Sequence, residues 1–495
     1  MKTLSALCFA LVILATSGCT EPVHMATGIK IGEVTDSEAI VWVRLTKDEK
    51  RVDFGAPMPE ISYTLESTGE PIENMRYRQR DAVPAVEFPD GSSIDTIEGA
   101  VPGADGFVRV HYRTGNEESS KVTSWQAVNP EADFTSQFRL TDLQSGSQYI
   151  IKVEYGARKG RGSKTLLGTF RTAPTADVEA PVTFTVVTGQ RYPDRDFDGG
   201  FKSYGQMLNL SPNFFVHTGD ILYYDQLAKT AELANWHWQR IYSMDSLVDF
   251  HKRVSSYFIK DDHDTLVNDS WPTMQTAFMG DLTFEKGLEI FREQVPMGDK
   301  TYRTVRWGKD LQVWLVEGRD FRSANTMEDG PDKTIWGAEQ MAWFKRTVQE
   351  SDATFRVLIS PTPVVGPDRE GKNDNHANTA FAYEGNLLRE FIASQDNMLV
   401  VCGDRHWQYV SVDQVHGVRE YSSGPVSDEH AGGWSNDMLR PEHQYLNVIG
   451  GFLAVTVERQ DGKPVLIARH YGVDGEILNE DRVAARRDRM PKIPK

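Results

Sequence analysis

Cysteine is almost absent from this chain: three residues in 495, at positions 8, 19 and 402. Two of them fall within the first nineteen residues, so the body carries one thiol and no partner for it. An intrachain disulfide there is excluded, and packing or bound metal must hold the fold. Cys402 ends the apolar run Met398–Cys402 and reads as a small buried hydrophobe. Long apolar stretches are equally scarce. After Leu14 none approaches the ~18 uninterrupted apolar residues of a spanning helix. Basic residues are in deficit, 54 against 71 acidic, for a net charge of −17. That balance argues against general nucleic-acid binding and against coating an anionic membrane. No internal repeat is visible, and Gly plus Pro make up only 63 residues (40 and 23), which excludes a collagen-like or low-complexity body. What remains is an acidic globular chain whose length suits about three domains.

The N-terminus addresses the compartment. Lys2, the apolar stretch Leu4 to Leu14, and then Ala15-Thr16-Ser17-Gly18-Cys19 form a secretory signal over 1–18. Ser-Gly-Cys resembles a bacterial lipobox, which implies lipidation of Cys19 and a tether over 19–22. The expectation is an exported bacterial lipoprotein at the periplasm, outer membrane or cell surface, held to the membrane by lipid alone.

Residues 23–171 read as all-β. Ala39–Leu45 and Gln148–Val153 alternate with period two. Leu140-x-x-Leu143-x-x-Gly146-x-x-Tyr149 resembles the tyrosine corner of fibronectin type III-like sandwiches. A Pro/Gly/Asp-rich stretch, about 57–106, reads as an insertion, and 172–181 as a Pro/Ala linker. From 182 to 480 short apolar strands alternate with helical stretches, the pattern of an α/β layer fold. Candidate strands are Thr183–Val187, Asn213–His217, Tyr257–Ile259, Leu311–Val316, Phe355–Ile359, Met398–Cys402, Gly451–Val457 and Pro464–Arg469. Glu232–Tyr242 and Glu339–Val348 read as helices, and 481–495 as a solvated basic tail.

Chemistry gathers where three of these strands stop. His217-Thr218 runs into Gly219-Asp220-x-x-Tyr223. Ile259-Lys260 runs into Asp261-Asp262-His263-Asp264, with Asn268 shortly after. Val401-Cys402 runs into Gly403-Asp404-Arg405-His406. In open α/β sheets the ligand crevice lies beyond the carboxyl ends of the strands, so the three segments are placed to converge. Five carboxylates, two His, one Asn and one Tyr brought together repel strongly without a cation, and their O/N donors suit hard or borderline metals.

This order resembles the calcineurin-like metallophosphoesterases, and within them the PhoD-like (alkaline phosphatase D) branch, over nearly the whole mature chain. The resemblance implies an N-terminal β-sandwich followed by a metallophosphoesterase domain layered α/β/β/α. It implies metal ligands at Asp220, Tyr223, Asp262, Asn268, Asp404 and His406, with Asp220 bridging, and His263 as general acid or substrate-polarising group. Val316–Arg322 and Trp336–Trp343 match that branch's Arg-bearing strand end and next helix, making Arg319 a candidate clamp for an anionic ester. Arg191 and Arg405 are lesser candidates, and His376, in the loosely matching loop Asp374–Asn378, a pocket residue. One position departs. The branch ends its first catalytic strand in an iron-binding Cys, whereas here the strand runs into Gly189-Gln190-Arg191. Without sulfur the donors suit Ca²⁺, Mn²⁺ or Zn²⁺, although Tyr223 also suits Fe³⁺.

The reading is an exported metal-dependent phosphoesterase acting on mono- or diesters. The alternatives are hydrolysis of another anionic ester, such as a polysaccharide sulfate, on the same scaffold, or a non-catalytic surface binding lipoprotein. Trp236-His237-Trp238 and Trp271 fit either helix-face packing or an aromatic wall for a sugar or nucleoside, and 421–434 a Gly-rich pocket rim.

Overall fold

The computed structural model describes residues 22–486 apart from Tyr77. The signal segment, Cys19 and residues 487–495 lie outside the described residues. No helix among the described residues is long and apolar enough to cross a membrane.

Two large sheets carry the site. The first has nine strands in the order Ile477–Ala484, Lys463–Tyr471, Phe452–Gln460, Val182–Val187, Phe214–His217, Ser255–Phe258, Ile29–Gly32, Ala39–Arg44 and Thr135–Leu140. The second has seven: Arg303–Trp307, Leu311–Leu315, Phe355–Ser360, Met398–Cys402, Arg419–Ser423, Gln408–Val412 and His443–Asn447. Side chains alternate across each strand, and here both faces are apolar. Phe184, Val186, Phe214, Val216 and Tyr257 of the first sheet interlock with Val313, Leu315, Val357, Ile359 and Val401 of the second. The opposite faces are covered by helices. Against Val187, Phe215 and Phe258 lie α1 (Lys202–Asn209), α2 (Ala231–Tyr242), α3 (Asp245–His251) and α4 (Phe284–Gln294). Against Trp314, Leu358 and Val400 lie α5 (Gly337–Glu350) and α6 (Ala382–Ala393). The layers run helix, sheet, sheet, helix. All eight strands expected between 183 and 469 are present, shifted by a few residues at their ends.

The N-terminal part is two sheets over one core. Val41, Val43 and Phe138 pack against Val110, Ile151, Val153 and Phe170, the latter group lying on the sheet Lys164–Arg171, Gln148–Gly156, Phe107–Thr114, Lys121–Val122. Its corner has the expected chemistry: the Gln144 N–H donates to the Tyr149 hydroxyl at 2.8 Å, and that ring stacks on Phe170.

The division at 172–181 and the start of the tail need correction, and the insertion gains a structure. The two parts are not separate bodies, because Ile29–Gly32 pairs in parallel with Ser255–Phe258 and extends the nine-stranded sheet. Gly32 permits this: a Cβ there would lie 2.3 Å from the Ser256 carbonyl oxygen. Trp42 donates to the Glu293 carbonyl at 2.6 Å, while Asp133 accepts from Arg44, Gln239 and Gln294. The segment 172–181 is accordingly pinned; Ala173 N–H donates to Thr35 and Pro174 accepts from Gly308. The stretch 57–106 folds into a hairpin, Glu60–Leu65 with Ala82–Glu87, and its Ile97 and Ala100 pack on Leu233 and Trp236 of α2. The tail begins later than 481, since Ile477–Ala484 is an edge strand whose Asp481 accepts from Arg419 and Tyr421.

Candidate metal centre

The three strand ends approach so closely that only certain residues fit. A Cβ on Gly219 would lie 2.6 Å from the Asp261 Cβ, and one on Gly403 would lie 2.6 Å from Thr218 Oγ1. Asp220 and Asp404, which follow these glycines, take left-handed conformations with φ of 53° and 61°. Asp tolerates that region better than most residues. The Gly-Asp pairs are therefore a packing requirement as much as a chemical one.

Asp220 is 1% exposed. Its Oδ2 lies 3.2 Å from Tyr223 Oη and 3.2 Å from His406 Nε2, and Oδ1 is buried with no hydrogen-bond partner. Burial, reinforced by Asp262 and only partly relieved by His263, pushes the Asp220 carboxyl up to about 6. His406 is driven down to about 3, first by burial and then by the positive charge of His263 and Arg405, so its imidazole is neutral. A carboxylate, a phenol and a neutral imidazole converge on one point, and this donor set fits a divalent cation. Ligand atoms of Asp220, Asp262 and His263 also lie within 4.8 Å of one another.

His263 is held by a residue the motifs did not flag. Asp225 Oδ2 lies 2.5 Å from its Nδ1, and Asp225 Oδ1 accepts the Asn268 N–H. Burial would lower the His263 pKa, but Asp225, Asp262 and Asp220 outweigh it and hold the ring protonated well above its usual range. His263, Tyr223, Arg191 and His430 line a cavity of about 330 Å³ whose far wall is His237 and Arg240 of α2. A larger cavity, about 1030 Å³, lies between the sandwich and α3 and contains none of these groups.

The PhoD-like phosphatase family matches residues 184–447, more than half of the chain. The chain belongs to that family. Among solved structures, that of PhoD superposes with a TM-score of 0.66 at 14% identity, covering 94% of this chain and 90% of its own. The purple acid phosphatase PPD1 of yellow lupin seeds gives 0.57 at 11% identity, covering 93% and 74%. These likenesses are of fold. No curated protein sequence matches.

Within this PhoD-like phosphatase several expected site residues are spent on structure. Arg319 is fully buried; its guanidinium lies 2.5 Å from Asp261 and 3.6 Å from Asp262, and it donates to the Ser270 carbonyl. It balances the acidic turn and presents nothing to solvent, which corrects its expected role as a substrate clamp. Arg405 is likewise fully buried, paired with Asp368 and Asp404, and so is not a substrate contact. His376, also fully buried, bonds Glu384 at 2.9 Å beneath Trp336 and is no pocket residue. Asp404 engages Arg405 through its carboxylate, and no ion pair joins it to His406 among the described residues. Asn268 lines a different cavity, with Arg78, Arg80 and Trp271. Arg191 does face the cavity, half-exposed and 3.3 Å from Asp194. Trp236 and Trp238 are buried and bonded to the Glu98 carbonyl and the Tyr224 hydroxyl, which settles them as packing.

Arg240 carried no legible signal, whereas His430 belongs to the stretch 421–434 read as a pocket rim and does line the cavity. Arg240 is 5% exposed yet makes no ion pair among the described residues; it stacks on Trp236 at 4.0 Å and bonds His237 at 3.0 Å. A guanidinium on a cavity wall that meets its compensating groups, Tyr192 and Glu98, only at a distance is suited to an anionic ligand.

Proposed function

We propose that this phosphatase is an exported, metal-dependent phosphoesterase that hydrolyses phosphate mono- or diesters, anchored through lipid on Cys19 at the periplasm or cell surface. The observation that carries the metal dependence is Asp220: a buried carboxylate with one unpartnered oxygen, facing Tyr223 and a neutral His406. The absence of a thiolate favours Ca²⁺ or another divalent cation over a thiolate–iron site. Bound cations would neutralise the phosphoryl oxygens and lower the pKa of a water for attack. The chain's own residues do the rest. Asp225 fixes the His263 ring through Nδ1 and keeps it charged, so it carries a proton for the leaving oxygen, a contribution usually worth ~10²–10⁴-fold. Arg240, with Arg191 at the rim, receives the ester's negative charge opposite it. The N-terminal part, a fibronectin type III-like sandwich in this reading, braces α2 and α4 behind that wall.

The test is hydrolysis of p-nitrophenyl phosphate, bis-p-nitrophenyl phosphate and p-nitrophenyl sulfate by purified protein, before and after chelation, with elemental analysis alongside. Phosphoester turnover lost on chelation and restored by a divalent cation is expected. Sulfate-only turnover, or phosphoester turnover indifferent to exhaustive chelation, overturns the reading. Fractionation of a Cys19→Ser variant tests the anchor: release from membranes is expected.

A further inference from the structure

The strand Val182–Val187 is parallel to Phe214–His217 and ends beside it, yet it contributes no side chain to the centre, because Gly189 stands at its exit with φ of 55°. The space in front of that glycine is not empty. A Cβ there would lie 2.9 Å from Cδ2 of His406 and 3.1 Å from Cδ2 of His430. His430 comes from the Gly-rich loop after the strand Arg419–Ser423. Its Nε2 lies 2.6 Å from Tyr223 Oη, which is itself 3.1 Å from His406 Nε2 and 3.2 Å from Asp220 Oδ2. The 3.1 and 3.2 Å separations are those of donor atoms sharing one small cation at ~2.0–2.2 Å, and the 2.6 Å contact is a hydrogen bond that holds His430 Nε2 against the phenol of that set. The other ring nitrogen is committed: Nδ1 lies 2.8 Å from Asp194 Oδ2, which leaves the Nε2 lone pair facing the cluster. Asp194 is placed by the turn Tyr192–Asp194, which begins three residues after the glycine.

We propose that His430, oriented by Asp194, is a ligand of the Asp220–Tyr223–His406 centre and occupies the coordination position that the first strand leaves open. Gly189 is then the counterpart of this ligand, since a side chain at 189 and an imidazole at 430 compete for one volume. The proposal rests on the metal-centre reading above but goes beyond it.

The experiment is titration of chelator-treated full-length protein with Co²⁺, followed by the visible absorption of the bound ion and by the melting temperature. His430→Ala and His430→Gln should each weaken Co²⁺ binding at least ~10-fold and change the spectrum. Gln retains hydrogen-bonding atoms for Asp194 and Tyr223, so it guards against simple misfolding. Asp194→Asn should weaken binding ~10-fold through loss of ring orientation. Gly189→Ala should also weaken it, but should add nothing in a His430→Ala background. Wild-type affinity and spectrum in both His430 variants overturn the proposal. Asp220→Asn separates the two levels. If it abolishes Co²⁺ binding while the His430 variants do not, only this assignment falls. If it leaves binding intact, the metal centre itself is misplaced and both fall.

Discussion

Asp220 and Asp374 are equally buried, at 1% and 0% exposure, yet their carboxyls are shifted in opposite directions. Burial raises both. At Asp220 the nearby His263, with His430 and Arg319, only partly counters it, and the group sits near 6. At Asp374 burial is outweighed by Lys372, then Arg405 and Arg319, and the carboxyl falls well below its usual range. Each aspartate belongs to a group with metal-like spacing, Asp220 with Asp262 and His263, Asp374 with Asp262 and Asp269. The second group already holds its cation: Lys372 Nζ lies 2.8 Å from Asp269 and 3.1 Å from Asp374. Buried carboxylates are stable only when paired or metal-bound. One cluster has solved that requirement with an ammonium. The other has a phenol, two neutral imidazoles and an unpartnered oxygen, and its one imidazolium, His263, is already engaged by Asp225.

The largest effect should come from breaking the cation-poor side. Asp220→Asn removes the charge that brings the cation in, so hydrolysis should fall by at least ~10³ with loss of bound metal and of metal-dependent stabilisation. Elemental analysis and melting with and without added Ca²⁺ check this. Retained metal with retained activity would mean that Asp374 and its neighbours hold the ion instead. Next comes conversion of the self-neutralised side. Lys372→Met removes the nearest cation from Asp269 and Asp374, a loss of about 3 kcal/mol. Added divalent cation should now recover part of that loss, whereas the same addition after Asp220→Asn should recover nothing. A Lys372→Met protein with unchanged melting would show that Asp269 and Asp374 are neutralised by other groups.

The contrast also explains what was legible in the sequence. Asp220, Asp262 and His263 each follow an apolar strand, so strand periodicity plus a polar terminus located them. Tyr149 was legible because its corner is local, spanning five residues from Gln144. For His430 only the pocket-rim loop that carries it was legible, and Arg240 was not legible at all. His430 sits on an irregular loop and reaches the centre only because a distant glycine leaves room. Arg240 reads as one more charged residue in a helix, and nothing local reveals that no carboxylate meets it. Arg319, Arg405 and His376 failed for the converse reason: their residue types suit an anion site, but burial and pairing depend on contacts far away in the chain. The shared sheet was hidden because the two parts join through one short parallel pairing at Gly32. The final strand was hidden because Ile477–Ala484 is an edge strand, half-exposed and charged, and carries no apolar run.

A smaller effect should come from the wall opposite the metal donors. Arg240→Met keeps an unbranched apolar side chain in the place of the Arg stem and deletes the guanidinium that stacks on Trp236, so the wall stays filled while the charge is lost. If Arg240 takes the ester's negative charge in the ground state and transition state alike, KM should rise about tenfold with kcat little changed. Parallel work on Arg191→Met, at the half-exposed rim, should give a weaker shift, because solvent screens it. A larger penalty at Arg191 than at Arg240 would place the anion at the rim and not on the α2 wall.

The smallest effect lies farthest from the cation-poor cluster and serves as its control. Tyr149→Phe in the sandwich removes one hydrogen bond, from the Gln144 N–H, while keeping the ring on Phe170. Loss of a single neutral bond typically costs about 1 kcal/mol. Because the ring is 3% exposed, water cannot readily take the hydroxyl's place, so the cost should sit at or slightly above that value. The N-terminal two-sheet part shares a sheet with the layers that carry the site, so the loss should lower the single melting transition of the whole chain and should not split off an early one. Metal stoichiometry and turnover below that transition should be unchanged. A separate low-temperature transition in Tyr149→Phe would show that the pairing at Gly32 does not couple the two parts, and that the sandwich melts on its own.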